Sequence, residues 1–344
     1  MVKIRCLQNE NAGFIKDISD IIATEAWKNP SLIPDLSKDK TLFIFSDYSR
    51  VQGAYKTYSF LVIGRSGADY FNGARKVLRD DFGLKNRRMA YKLLNDKLKL
   101  RALPAFLSCA GAMSGLLVTF AVDTQIKYMF AEQFLQVWPE LCAIKKVPLE
   151  DMLRVVHFGA QAVMTVFSPS QNIVWFTDND AIVANEEYQQ LFGKLAETTI
   201  RKMFMPQEAI GRVVFGLTEV DDGSLEIEDF VAIPDLVAGA LCDMLDQLNQ
   251  AGLRVTAKLA LRSVVREKTN IICEWIGKTI CPLKKIGIVF DKSGPQQWDF
   301  RPIFFTIQNP YITPCEITCS AQNAAAFMSA PIRFDIEDYS QETK

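Results

Sequence analysis

Five short apolar runs, rich in β-branched and aromatic residues, alternate with longer amphipathic stretches, and three of them close directly on an aspartate. Runs of this length read as buried strands and the stretches between them as helices. The first two, 42–47 and 58–63, are joined by polar turn residues and predict an antiparallel hairpin. Helices are expected over 68–81 and 87–107, then a strand over 116–122. A helical region over 128–166, interrupted near Pro139 and Pro148, precedes a strand at 173–178, a helix at 186–203, a strand at 212–218 and a helix at 229–248. Strands alternating with helices after an opening hairpin assemble as a mixed α/β sheet flanked by helices.

Around that core, 41–250, the sequence predicts two additions. Residues 1–40 carry a short helix at 13–27 and a proline-containing connection, which reads as an N-terminal arm or cap. Residues 251–344 carry a basic helix at 255–276 and strand-like runs at 285–290 and 301–307, expected to form a C-terminal α+β appendage packed on the main sheet.

Composition excludes several function classes. With 49% hydrophobic and 23% charged residues over 344 positions, the chain is neither disordered nor fibrous and can bury a large core. The formal net charge is −1, so no global positive field recruits a polyanion and any basic footprint has to be local. The one histidine, His157, falls in the apolar-periodic stretch 152–166 and reads as a packed core residue. The eight cysteines form no C-x-x-C pair and have no neighbouring histidine. Free thiols in a reducing cytoplasm are therefore expected instead of a structural zinc site, with Cys315 and Cys319 as the pair open to a disulfide or half a metal site. The start of the chain has no apolar h-region, so no signal peptide is expected. Residues 102–122 carry no charge and are long enough to span a bilayer, but Pro104, Gly111 and Gly115 divide them into a helix end, a turn and a strand. The expectation is a soluble cytoplasmic protein with no membrane contact.

Carboxylates are what remains for chemistry. Asp47, Asp123 and Asp178 stand at strand ends, Asp180 follows, and Asp235 is expected in the first turn of the last core helix. Acids at the carboxyl ends of neighbouring strands project toward a common edge, the usual place for a site in an open α/β sheet. Several carboxylates in one place repel one another, and a divalent cation holds them ionised. Oxygen ligands without histidine or cysteine suit Mg²⁺ or Mn²⁺, and two such ions clamp the attacking and leaving oxygens of an in-line displacement at phosphorus. Each acid also has a local explanation. Asp47 can cap a turn, Asp178 or Asp180 a helix start, Asp235 can favour a helix dipole, and Asp123 can simply face solvent.

The order of these acids and their local wording carry a resemblance. Phe45-Ser-Asp-Tyr-Ser49, Tyr91-Lys-Leu-Leu-Asn-Asp96, Val118-Thr-Phe-Ala-Val-Asp123, Trp175-Phe-Thr-Asp-Asn-Asp180 and Pro234-Asp-Leu-Val-Ala-Gly239 together resemble the ribonuclease-H-like domain-of-unknown-function 3800 family of bacteria and their mobile elements, over roughly residues 42–248. The resemblance implies a ribonuclease-H-like mixed sheet and a two-metal nuclease. Asp47, Asp178 and Asp235 would be the catalytic, metal-binding carboxylates, and Asp180 and Asp123 further ligands. It also implies a setting in phage defence or mobile-element biology. Tyr48 stands where the family carries a glutamate, a second-metal ligand or water-orienting base, and Thr124 and Pro234 also depart from its pattern.

A nucleic-acid substrate, DNA or RNA, needs basic contacts. Lys85, Arg87, Arg88, Lys92, Lys97, Lys99 and Arg101 face a single acid, Asp96, within 85–101. Lys92, in the family-like segment, heads the candidates for phosphate contact, followed by Arg87, Arg88 and Lys97; a solvated helix face is the alternative. Arg254, Lys258, Arg262 and Arg266 recur at helical spacing, with Lys268 close behind, and form a second basic stripe. The acidic residues between 219 and 229 read as a solvated loop. The function expected is hydrolysis of nucleic-acid phosphodiesters. The alternative is a non-catalytic module of the same fold that binds nucleic acid or a partner protein, and a homo-oligomer is compatible with either.

Overall fold

The computed structural model describes residues 14–49, 53–130, 146–178, 182–203, 210–251, 266–278, 280–295, 297–304, 311–312 and 317–320. The β-branched and aromatic runs form β1 (Thr41–Tyr48), β2 (Tyr55–Gly64), β3 (Gly115–Asp123), β4 (Asn172–Thr177), β5 (Val213–Leu217), β6 (Leu283–Gly294), β7 (Gln297–Phe304), β8 (Tyr311–Ile312) and β9 (Ile317–Ser320). They make one mixed sheet in the order β5-β4-β1-β2-β3-β6-β7-β8, with β9 also on β7. β2 lies antiparallel between β1 and β3, whereas β4 runs parallel to β1 and β5 parallel to β4.

Helices cover both faces. Helices α1 (Phe14–Lys28), α4 (Lys146–Val166) and α5 (Glu186–Met203) lie on one; α2 (Arg65–Asp81), α3 (Lys97–Gly111), α6 (Glu226–Gln250) and α7 (Glu267–Gly277) lie on the other. Alternation along the strands sorts the side chains between them. Tyr58, Phe60 and Val62 of β2 enter the first layer while Leu61 and Ile63 enter the second. His157, expected as a core residue, is buried in α4, its Nδ1 2.7 Å from the Leu153 carbonyl and its ring stacked on Phe130.

Three expectations change. Residues 283–304 do not pack on the sheet as an appendage. They belong to it, because β6 lies parallel beside β3 and carries β7 with it. Part of the expected arm is core as well: Phe14 of α1 packs among Phe130, Phe290 and Trp298. The basic stretch from 87 is not a continuous helix either. Arg87–Asp96 is irregular apart from a 3₁₀ turn at Tyr91–Leu93, and α3 starts only at Lys97, where the Asp96 carboxylate accepts the Leu98 N–H at 2.8 Å as an N-cap.

The uncharged stretch 102–122 divides between the end of α3 and β3 as expected, and no described helix is long and apolar enough to cross a membrane. Cys109, Cys242, Cys273 and Cys281 are free thiols. Cys315, most of the second basic stripe (residues 252–265) and Asp180 lie outside the described residues.

Candidate carboxylate site

Register decides which aspartates can meet. Phe45 of β1 pairs with Phe176 of β4, and their rings stack at 5.7 Å on the face where Phe230 of α6 covers them. Asp47 and Asp178 each lie two residues farther along, so the period of two returns both to that face. They fall in adjacent rows about 4.8 Å apart. Asp47 accepts the Tyr48 N–H at 2.6 Å. Asp178 accepts the Thr218 hydroxyl at 2.9 Å and lies 3.5 Å from the Arg88 guanidinium.

Asp235 reaches the same neighbourhood from α6. The helix begins at Glu226, earlier than the sequence suggests, because the Asp221 carboxylate accepts the N–H groups of Leu225 and Ile227 at 3.0 and 2.8 Å. Asp235 and Pro234 are therefore well inside the helix, not in its first turn. The Asp235 carboxylate accepts the Tyr91 N–H at 2.6 Å. Loss of water pushes its pKa up to about 6; the Asp178 charge adds to the rise, while Tyr91, Lys92 and Arg88 oppose it. Asp178, Asp235, Lys92 and Arg88 thus share one electrostatic environment.

Two residues that sequence reasoning passed over belong to it. Glu228 on α6 forms an ion pair with Arg88, and its carboxyl is raised by burial and by the charges of Asp178 and Asp221, with Arg88 opposing. Tyr91 fastens the basic segment down. Besides the bond to Asp235, its hydroxyl meets Asp243 and Thr269 at 2.9 and 2.7 Å, and its carbonyl accepts the Lys268 ammonium at 3.2 Å. Its ring lies against Gly239, where a Cβ would come within 2.3 Å of it, so the glycine of the Pro234–Gly239 motif is there for close approach.

The acidic stretch 219–229 is not simply solvated. Asp229, which is 1% exposed, binds Arg75 and makes a two-pronged pair with Arg79 at 2.6 and 2.5 Å. Arg79 in turn donates to the Lys85 and Arg87 carbonyls, which holds the loop carrying Arg88 beside α6. The Asp229 contacts join residues about 150 apart in the chain, and no local signal announces them.

The remaining candidates fall as follows. Asp123 pairs with Tyr55, four residues along β2 from the partner of Asp47, which sets it roughly 13 Å farther along the strand direction. There it accepts the N–H groups of Gln125 and Lys292 and does not join the group. Arg87 is paired with Asp96 at 2.7 Å. Lys92 and Lys97 are exposed, and Lys99 is buried. The Tyr48 ring packs on the opposite face, against Tyr58, so the position taken by tyrosine does not project toward Asp47's side of the sheet.

Among the described residues, no three histidine, cysteine or acidic side chains are grouped so as to hold a metal ion. The donor chemistry of Asp47, Asp178, Glu228 and Asp235 nonetheless suits a hard divalent cation: all are oxygen donors, and two carry carboxyls raised by burial and by the Asp178 charge, a repulsion that a cation would relieve. No protein-family model matches the chain, and no curated protein matches it.

Proposed function

We propose that the chain is a metal-dependent nuclease of ribonuclease-H-like architecture that hydrolyses nucleic-acid phosphodiesters in the cytoplasm. Support for the architecture comes from the strand arrangement: three antiparallel strands β1–β3, with β4 and β5 added parallel on the β1 side and α6 crossing the sheet above β1 and β2. The observation that supports the chemistry is the register that sets Asp47 and Asp178 in adjacent rows of one sheet face, with the desolvated Asp235 of α6 under the influence of the Asp178 charge.

In this reading Asp47, Asp178 and Asp235 hold Mg²⁺ or Mn²⁺, with Asp180 next to Asp178 in sequence as a further ligand. Two such ions, when bound, supply charge neutralisation at the attacking and leaving oxygens of an in-line displacement. The side chains of the chain itself position the substrate. Lys92, exposed beside Asp235, meets a phosphate, and Arg87 and Lys97 extend the basic track along the backbone.

Incubation of labelled single- and double-stranded DNA and RNA with Mn²⁺ tests this. Cleavage that a chelator abolishes is expected. Asp47→Asn and Asp178→Asn are each expected to reduce it by more than the roughly 10–100-fold typical of outer-shell changes. Cleavage that survives both substitutions contradicts the assignment. The ion pairs of Arg88 with Asp178 and Glu228 favour a second reading, a non-catalytic module whose acids are already neutralised internally. Its signature is salt-dependent nucleic-acid binding without cleavage.

A further inference from the structure

Arg88 stands where the carboxylates of the site need a positive charge. It leaves the irregular segment before Tyr91 and reaches two elements at once, Asp178 just beyond β4 and Glu228 on α6. Glu228 and Asp235 are separated by about two helical turns, so they project from the same side of α6, and both feel Asp178. We infer that Glu228 is a working member of the carboxylate group and that Arg88 is its resident counter-cation. On this inference a divalent ion displaces Arg88, and the freed guanidinium turns to a substrate phosphate. This rests on the metal-dependent reading above.

The contrast with the neighbouring arginines supports a displaceable role. Arg75 and Arg79, which bind the very next residue of α6, have side chains only 1% and 9% exposed and are built into the fold. The Arg88 side chain is 45% exposed, and its approach to Asp178 is long for a charged hydrogen bond, at 3.5 Å. The pair with Asp178, half-exposed on both sides, is held weakly, while the closer pair with Glu228, 15% exposed, is the firmer of the two. A doubly charged ion attracts the same oxygens more strongly than one guanidinium. Displacement does not require the loop to move. Arg79 holds the Lys85 and Arg87 carbonyls, Asp235 holds the Tyr91 N–H, and a rotation of the Arg88 side chain is enough. A guanidinium released there lies on the same segment as Lys92 and Arg87, and its planar fork suits two phosphate oxygens at once.

The test is Mn²⁺ binding to the full chain, followed by electron paramagnetic resonance of the free ion. Wild type, Arg88→Ala, Arg88→Gln and Glu228→Gln are compared, each first checked for folding by circular dichroism. Both Arg88 variants are expected to bind Mn²⁺ several-fold more tightly than wild type, and Glu228→Gln about tenfold or more weakly. In Mn²⁺-loaded protein, Arg88→Ala should also weaken binding of an uncleavable phosphorothioate oligonucleotide and lower the salt slope by about one. If no variant binds Mn²⁺, the metal-dependent reading falls, and this inference with it. If wild type binds Mn²⁺ and the Arg88 variants bind it equally or more weakly, the metal site stands and the displacement is refuted. Unchanged affinity in Glu228→Gln removes Glu228 from the group.

Discussion

A carboxylate that loses water and gains a like-charged neighbour keeps its proton to higher pH, and Asp235 meets both conditions. Its folded-state pKa of about 6 lies above the ordinary 3.8, so between those values the folded chain holds a proton that the unfolded chain has released. The contribution of Asp235 to the stability of the metal-free protein therefore falls as pH rises from about 4 to about 6 and stays lower above that. Asp235→Asn should flatten this part of the stability profile in chelator-treated protein, measured by urea unfolding at a series of pH values. A dependence that persists unchanged in the variant would show that another group causes it. Asp47, Asp178 and Asp235 were legible as candidates because strand ends and the last core helix leave local marks in the sequence. Glu228 and Arg88 were not, since an acidic stretch and an exposed basic segment look the same whether they face water or each other. Asp123 misled for the same reason: its strand-end position is local, but the distance from Asp47 depends on register across β2.

At the scale of elements, the core strands and α5 follow directly from apolar patterning, because each run carries its own period. Ends set by side-chain capping were harder. Asp96 and Asp221 fix the starts of α3 and α6 through hydrogen bonds to N–H groups, and both displaced the expected boundaries. The packing of α2 against α6 turns on Asp229, whose carboxylate faces both Arg75 and Arg79 in a dry interior. Asp229→Ala removes the buried carboxylate that both guanidinium groups share, leaving Arg75 the more distant Glu226 at 3.9 Å and Arg79 backbone carbonyls, and a loss of about 3–5 kcal/mol is expected in denaturant unfolding. The same variant should loosen the loop at 82–90, which Arg79 holds through the Lys85 and Arg87 carbonyls. A loss below about 1 kcal/mol would mean that the two arginines find other partners and that the pair is not what joins these helices.

Over the whole molecule, the sheet extends past the expected core because β6 finds β3 across more than 150 residues of chain, a pairing that no local pattern encodes. The near-zero net charge is an average over separated regions: acids gathered at the ends of β1 and β4 and along α6, and a basic segment laid over them by Tyr91 and Arg79. On the proposed reading, a cation and a polyanion each enter where these basic and acidic parts meet, by exchanging partners with the chain's own charges. The most direct test of that arrangement is the anomalous scattering of Mn²⁺ in crystals of the protein. The account predicts Mn²⁺ density between the Asp47 and Asp178 carboxylates and within reach of Asp235, with Arg88 turned away from Asp178. Mn²⁺ bound only elsewhere, or none at all with Arg88 still across Asp178 and Glu228 at saturating metal, would contradict it.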